Sequence, residues 1–140
     1  MTDKSLGGSM GIVITQWALD SYLDLKHSSV FSSIEYKNII RPDVLLLNQF
    51  PNSPKFSNSK FWSLASMGSV VVSQGFKMKW HNVGNGKIQL RLAVANFSDF
   101  FLCQAYVKEN SSLDRREIAK LKTRIQLIAQ GKFIACGRLV

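Results

Sequence analysis

Between Phe76 and Val83 the chain alternates Phe76, Met78 and Trp80 with Lys77, Lys79 and His81, the period of a half-buried strand. Gly84-Asn85-Gly86 reads as a three-residue hairpin loop with glycine available for a left-handed position, which sets Val83 opposite Lys87. In that register Lys79 faces Arg91 and His81 faces Gln89, while Trp80 meets Leu90, Met78 meets Leu92 and Phe76 meets Val94. A two-residue turn at Phe97-Ser98 adds a third strand. It pairs Arg91 with Gln104, Gln89 with Tyr106 and Lys87 with Lys108, and on the apolar side Leu92 with Cys103, Leu90 with Ala105 and Ile88 with Val107. A slip of one residue reverses every side chain, so the agreement of three strands specifies a register as well as a sheet. The expected result is one open polar face carrying Lys77, Lys79, His81, Gln89, Arg91, Gln104, Tyr106 and Lys108.

The flanking segments read as helices and connections. Gly11 to Ile14 is a short strand ending at Thr15, a good N-cap. Trp17, Leu19, Tyr22, Leu23 and Leu25 then follow helical spacing from Gln16 to about His27, which suits a C-terminal capping position. Ser32 and Glu35 form a capping box that opens a second helical segment reaching Leu47, kinked or restarted at Pro42. Residues 51–67, rich in Ser, Asn and Pro, read as a long loop pinned by Phe61, Trp62 and Leu64. Val70-Val71-Val72 is a further strand, and Gln74-Gly75 a turn or bulge. Asp114 and Glu117 have N-cap and N3 spacing for a last helix with Ile118, Leu121, Ile125 and Ile128 on one face. Arg116, Lys120 and Arg124 form a basic ridge beside that stripe, Gly131 is the stop, and the tail from Lys132 to Val140 docks. The expected fold is α+β: a small antiparallel sheet with an N-terminal helical hairpin and the C-terminal helix packed on its apolar face.

Length and composition add limits. The chain has 140 residues, enough for one domain with a real core. Residues 1–9, with Ser5-Leu6-Gly7-Gly8-Ser9 ahead of Met10, read as a tag or linker, leaving 10–140 as a single domain. Eighteen Lys and Arg against nine Asp and Glu give a formal net charge of +9, which points to a polyanionic partner, nucleic acid first. Cys103 and Cys136 lack metal-ligand or redox spacing and are expected to be reduced. Without a membrane-length apolar run or a signal-peptide pattern, the expected location is the cytoplasm.

The chain contains no Gly-x-Ser-x-Gly elbow, phosphate-binding glycine loop, dinucleotide fingerprint or metal-ligand cluster, and no carboxylate pair on the polar sheet face. The expectation is a site without cofactor or metal. An imidazole, a phenol and several cations on one face suit metal-free cleavage of RNA. A base takes the ribose 2′-hydroxyl proton, cations stabilise the phosphorane and an acid protonates the departing oxygen. Lys79, His81, Arg91, Tyr106 and Lys108 are the candidate catalytic residues, with His81 and Tyr106 as proton carriers. Lys77, Lys87, Gln89, Gln104, Arg116, Lys120 and Arg124 are the candidate RNA-binding residues.

The order of elements and several residues resemble the RelE/ParE superfamily of bacterial toxins, nearest its HigB-like branch. Lys79 stands where the family has a basic residue before a turn, Arg91 where it has an arginine on the next strand, and Tyr106-Val107-Lys108 where the last strand ends in an aromatic residue and lysine. Glu117-Ile118 with Arg124 resembles its final helix, and the match runs over most of residues 11 to 130. The resemblance implies the toxin of a type II toxin–antitoxin pair, a ribosome-dependent messenger RNA endonuclease neutralised by a cognate antitoxin. The ParE branch implies a DNA gyrase inhibitor instead, and a non-catalytic binding protein on this scaffold is the third alternative.

Overall fold

The computed structural model describes residues 11–140; the segment 1–9 expected to be a tag lies outside the described residues. Strand β1 (Ile12–Thr15) runs directly into helix α1 (Gln16–His27). The change falls at Thr15 because its hydroxyl accepts the Ala18 amide at 3.2 Å and donates to the Leu102 carbonyl at 2.7 Å. Ser32 and Glu35 make the expected capping box at α2 (Ser33–Glu35), which continues as a π-helical stretch Tyr36–Ile40, α3 (Arg41–Leu45) and a 3₁₀ turn Leu46–Gln49. Pro42 has no amide hydrogen and sits in the first turn of α3. The π-helical stretch carries the preceding Arg41 amide back to the Tyr36 carbonyl, so the run restarts at Pro42 without breaking.

The sheet comprises β1, β2 (Trp62–Met67), β3 (Val70–Val83), β4 (Ile88–Asn96), β5 (Phe100–Val107) and β6 (Ala135–Arg138), in the order β2-β3-β4-β5-β1-β6. All neighbours are antiparallel except β1 and β5. Part of the stretch read as a loop over 51–67 is thus the edge strand β2, and the tail supplies the opposite edge. Val70–Val72 and Phe76–Val83 are one strand, joined through Gln74 at φ 67°, the bulge alternative of the expected turn or bulge.

The β3–β4 register is the expected one from Phe76↔Val94 through Lys79↔Arg91 to Trp80↔Leu90. It then shifts, because His81 and Asn82 bulge and Val83 pairs with Ile88, which leaves Lys87 in the turn. On the other side of β4, Arg91 pairs with Tyr106 and Ala93 with Gln104, two residues from the expected partners. The turn before β5 holds one residue more than expected, and Cys103 adds a second extra residue between the pairs Val94↔Leu102 and Ala93↔Gln104. Two single-residue shifts restore the face, so Arg91 and Tyr106 still share a side.

Each face of the sheet has its own core. One contains Ile12, Trp62, Met78, Trp80, Leu90, Leu92, Val94, Phe100 and Leu102, packed by Ala18 of α1, Ile40, Val44 and Leu47. The other contains Ala65, Val72, Ala93, Ala95 and Cys103, packed by Ile118, Leu121, Ile125 and Ile128 of α4 (Ser111–Ala129). The expectation of all helices on one face and an open cationic face is therefore corrected: α4 lies across the polar strands. Small residues make room for it. A Cβ at Gly75 would lie 3.1 Å from both Leu121 and Val72. Cys103 belongs to this second core, and burial pushes its thiol up to about 12.

The start of α4 also differs from the reading. Its N-cap is Asn110, whose side chain accepts the Leu113 amide at 2.8 Å, so Asp114 lies inside the first turns and is free for another role. Gly131 at φ 71° ends the helix as expected, with the Lys132 amide on the Leu127 carbonyl at 2.8 Å. Among the described residues no helix is long and apolar enough to cross a membrane.

Candidate active site

Because α4 begins beside the end of β5, it places Asp114 against the polar ends of β3, β4 and β5. Asp114 Oδ1 accepts the Tyr106 hydroxyl at 2.6 Å and Oδ2 accepts Lys77 Nζ at 3.2 Å. Both partners of the ion pair are mostly shielded, each side chain 15% exposed. Arg91 sits between Lys79 and Tyr106 in the strand pairing, and Lys108 follows at the end of β5. The Lys108 amide donates to the Gln89 carbonyl at 2.8 Å, so the backbone fixes this corner.

Arg91 is the most constrained of these cations, only 4% exposed. Its Nη2 donates to Gln89 Oε1 at 3.1 Å and its Nη1 to the Leu90 carbonyl at 3.3 Å, while Nε is buried without a partner. Among the described residues it has no ion pair. A buried charge held only by neutral acceptors is costly, and an incoming anion relieves that cost.

The electrostatics of the cluster separate its members. Burial lowers the Lys79 pKa, and Lys77, Arg91 and Lys108 lower it further against the opposing effect of Asp114. Burial raises that of Tyr106, helped by the bond to Asp114, so the phenol keeps its proton. Burial alone would raise Asp114, but the Tyr106 hydroxyl, Lys77 and Lys108 outweigh it and hold the carboxyl below its ordinary value. Lys79 therefore gives up its proton more readily than an ordinary lysine.

The structure brings Lys77, Lys79, Arg91, Tyr106 and Lys108 together, with Gln89 as the arginine's support, and places the other candidates elsewhere. His81, displaced by its bulge, puts Nε2 3.0 Å from the Lys60 carbonyl. This contact holds the ring against the 58–61 segment, in a shallow pocket that His81 lines together with Lys60 and Lys79. Gln104 is 2% exposed, donates to the Glu117 carbonyl at 2.9 Å and accepts Arg124 Nη1 at 3.0 Å, so it joins β5 to α4 and does not face a ligand. Arg124 also covers the Trp17 ring at 5.1 Å, and Lys120 pairs with Glu117 at 2.9 Å. Arg116 is exposed on α4, and Lys87 is exposed in the β3–β4 turn.

Asp114 was missed as a site residue because its spacing to Glu117 imitates a helix cap. The available signal was Asn110, an equally good cap four residues earlier. The assembled group can bind an anion through three or four cations, move a proton through Lys79 and hold Tyr106 and Lys77 in place through Asp114. No family model matches the chain, nor does any curated protein or solved structure.

Proposed function

We propose that the cluster around Asp114 is the active site of a metal-independent endoribonuclease, the toxin of a RelE/ParE-type toxin–antitoxin pair nearest the HigB-like branch. In this reading it acts on messenger RNA at the ribosome, in the cytoplasm, and a cognate antitoxin keeps it silent. One observation carries the proposal: four cations, Lys77, Lys79, Arg91 and Lys108, surround a single carboxylate, and the arginine among them is buried with a donor unpaired. Such an excess of positive charge at a half-closed site costs stability and suits a phosphodiester.

The chemistry follows from the separated proton affinities. Lys79, in its neutral form, takes the proton of the ribose 2′-hydroxyl as that oxygen attacks phosphorus. Arg91 stabilises the charge that builds on the non-bridging oxygens. Lys108, which has no ion pair among the described residues, gives a proton to the departing 5′-oxygen. The phosphorus–oxygen bond to that atom breaks, leaving a 2′,3′-cyclic phosphate and a 5′-hydroxyl. Tyr106 holds its own proton too firmly for either transfer and acts through Asp114 as a positioning residue.

The test is mapping of new messenger RNA ends after incubation with ribosomes, alongside growth on induction. Arg91→Ala is expected to lower cleavage 100- to 1000-fold, roughly 3 to 4 kcal/mol of transition-state stabilisation. Met78→Leu, on the opposite core, leaves activity within a few-fold of the parent. Cleavage by Arg91→Ala and Lys79→Ala at the parent rate overturns the assignment, as does a parent that leaves RNA intact while blocking DNA supercoiling.

A further inference from the structure

The opposite face of the sheet holds a second feature that this reading does not use. Between α1, the helical run 33–49 and the first core lies a cavity of about 190 Å³, lined by Ala18, Leu90, Leu92, Leu102 and Ala105 on its apolar side. Its volume exceeds the roughly 150 Å³ that suffices to hold benzene in an apolar core. The lining is otherwise apolar except at one end, where Tyr22, Tyr36 and Arg41 meet. The rings of Tyr22 and Tyr36 lie 5.1 Å apart, and among the described residues neither phenol oxygen has a hydrogen-bond partner. Burial and the neighbouring Tyr22 raise the Tyr36 pKa, with Arg41 opposing, so its hydroxyl remains a donor at neutral pH.

The chain itself shows what kind of group this end accepts. Arg41 Nη2 donates to the main-chain oxygen of Val140 at 3.0 Å, and the adjacent Leu139 lines the cavity. An oxygen on the guanidinium beside an aliphatic wall at Leu139 matches the two ends of an amphipathic acid. Val140 is exposed, so its oxygen is held at the surface, where the carboxylate of a ligand can compete for the guanidinium.

We propose that this cavity binds a small monocarboxylate with an aromatic or short aliphatic body, its carboxylate on Arg41 and the Tyr22 and Tyr36 hydroxyls and its body among Leu90, Leu92 and Leu102. The site is separate from the Asp114 cluster and lies on the other side of the sheet. Calorimetric titration of the whole chain with 3-phenylpropionate tests it, with 3-phenylpropionamide as the neutral control and methyl NMR shifts to locate the ligand. Saturable binding of the acid is expected, with shifts confined to the cavity leucines. The amide and Arg41→Gln should each weaken binding about ten- to hundredfold, the scale of a charged hydrogen bond. Ala18→Leu, which fills the space, should abolish binding while circular dichroism shows an intact fold. If that variant unfolds, Arg41→Gln, at the cavity's half-exposed end, still decides the question. No binding, equal binding of acid and amide, an unchanged affinity in Arg41→Gln, or shifts outside the cavity would each overturn the proposal.

Discussion

Lys79 is where chemistry and stability pull against each other. Its folded pKa lies below the ordinary lysine value, so the protonated form is disfavoured by folding. The sign follows: stability rises as pH climbs from the folded pKa towards about 10.4, and near neutrality the charge is a net cost. Lys79→Met should therefore raise stability at pH 7 by up to about 1 kcal/mol in urea unfolding, with the gain shrinking at high salt, while cleavage is lost. Lys79→Arg keeps the charge without a usable base, so it should lose the rise of rate with pH that the parent shows below its Lys79 pKa. Asp114 has the opposite sign. Its pKa is held below the ordinary value, so its contribution is present above about pH 3.9 and fades as pH falls through the folded value. Asp114→Asn should cost about 1 to 2 kcal/mol at pH 7, and thermal melts of parent and variant should converge at low pH. His81→Ala, by contrast, should leave cleavage within about threefold, because its ring is engaged by the Lys60 carbonyl.

At the scale of elements, α4 determines whether the site exists, because it carries Asp114 and is seated by small residues. Ala93, Ala95 and Cys103 are fully buried beneath it, and Gly75 has no space for a side chain without movement of Leu121 or Val72. Ala93→Leu should overpack this contact, costing about 1 to 3 kcal/mol in chemical denaturation, and should lower cleavage as the helix shifts Asp114. The same residues explain what the sequence discloses. Alternation fixed the β3–β4 pairing around Lys79 and Arg91, and the capping atoms of Thr15, Ser32 and Glu35 fixed helix starts, because each depends on chemistry within a few residues. The position of α4 was not legible from alternation alone: the polar list on β4 stops at Arg91, and the next two residues on that side are Ala93 and Ala95. Those alanines, with an isoleucine and leucine stripe on the last helix that needed an apolar surface, were the signal for a second core. The bulges at His81 and Cys103 left no mark in the pattern. The first turned the His81 ring to the Lys60 carbonyl, and the second, together with the longer turn before β5, changed the partner of Arg91 from Gln104 to Tyr106 while keeping the face.

Over the whole molecule, positive charge is unevenly placed. On the basic ridge expected on α4, Lys120 is paired with Glu117, while Arg124 keeps its charge and is held by the neutral Gln104 and Trp17. The cleft beside it, between α1 and β5, is lined by Asp20, Asp24, Glu109 and Glu117. Near the β3–β5 ends, Lys77, Lys79, Arg91 and Lys108 gather around the one carboxylate of Asp114, a local excess of positive charge at a single corner. A strand of RNA should cross this corner and not run along the ridge. Single-stranded nucleic acid releases about 0.7 counterions for each phosphate neutralised, so three to four engaged cations give a slope of roughly −2 to −3 in log affinity against log salt. Lys108→Gln should reduce that slope by about 0.7 in a fluorescence-anisotropy titration with a short oligoribonucleotide. Lys120→Gln and Lys132→Gln should leave it unchanged, the first because its charge is paired and the second because it lies beyond the far end of α4, roughly 25 Å from Asp114 at 1.5 Å per residue. An equal loss of slope in all three variants would show that RNA follows the net charge of +9 and not the cluster.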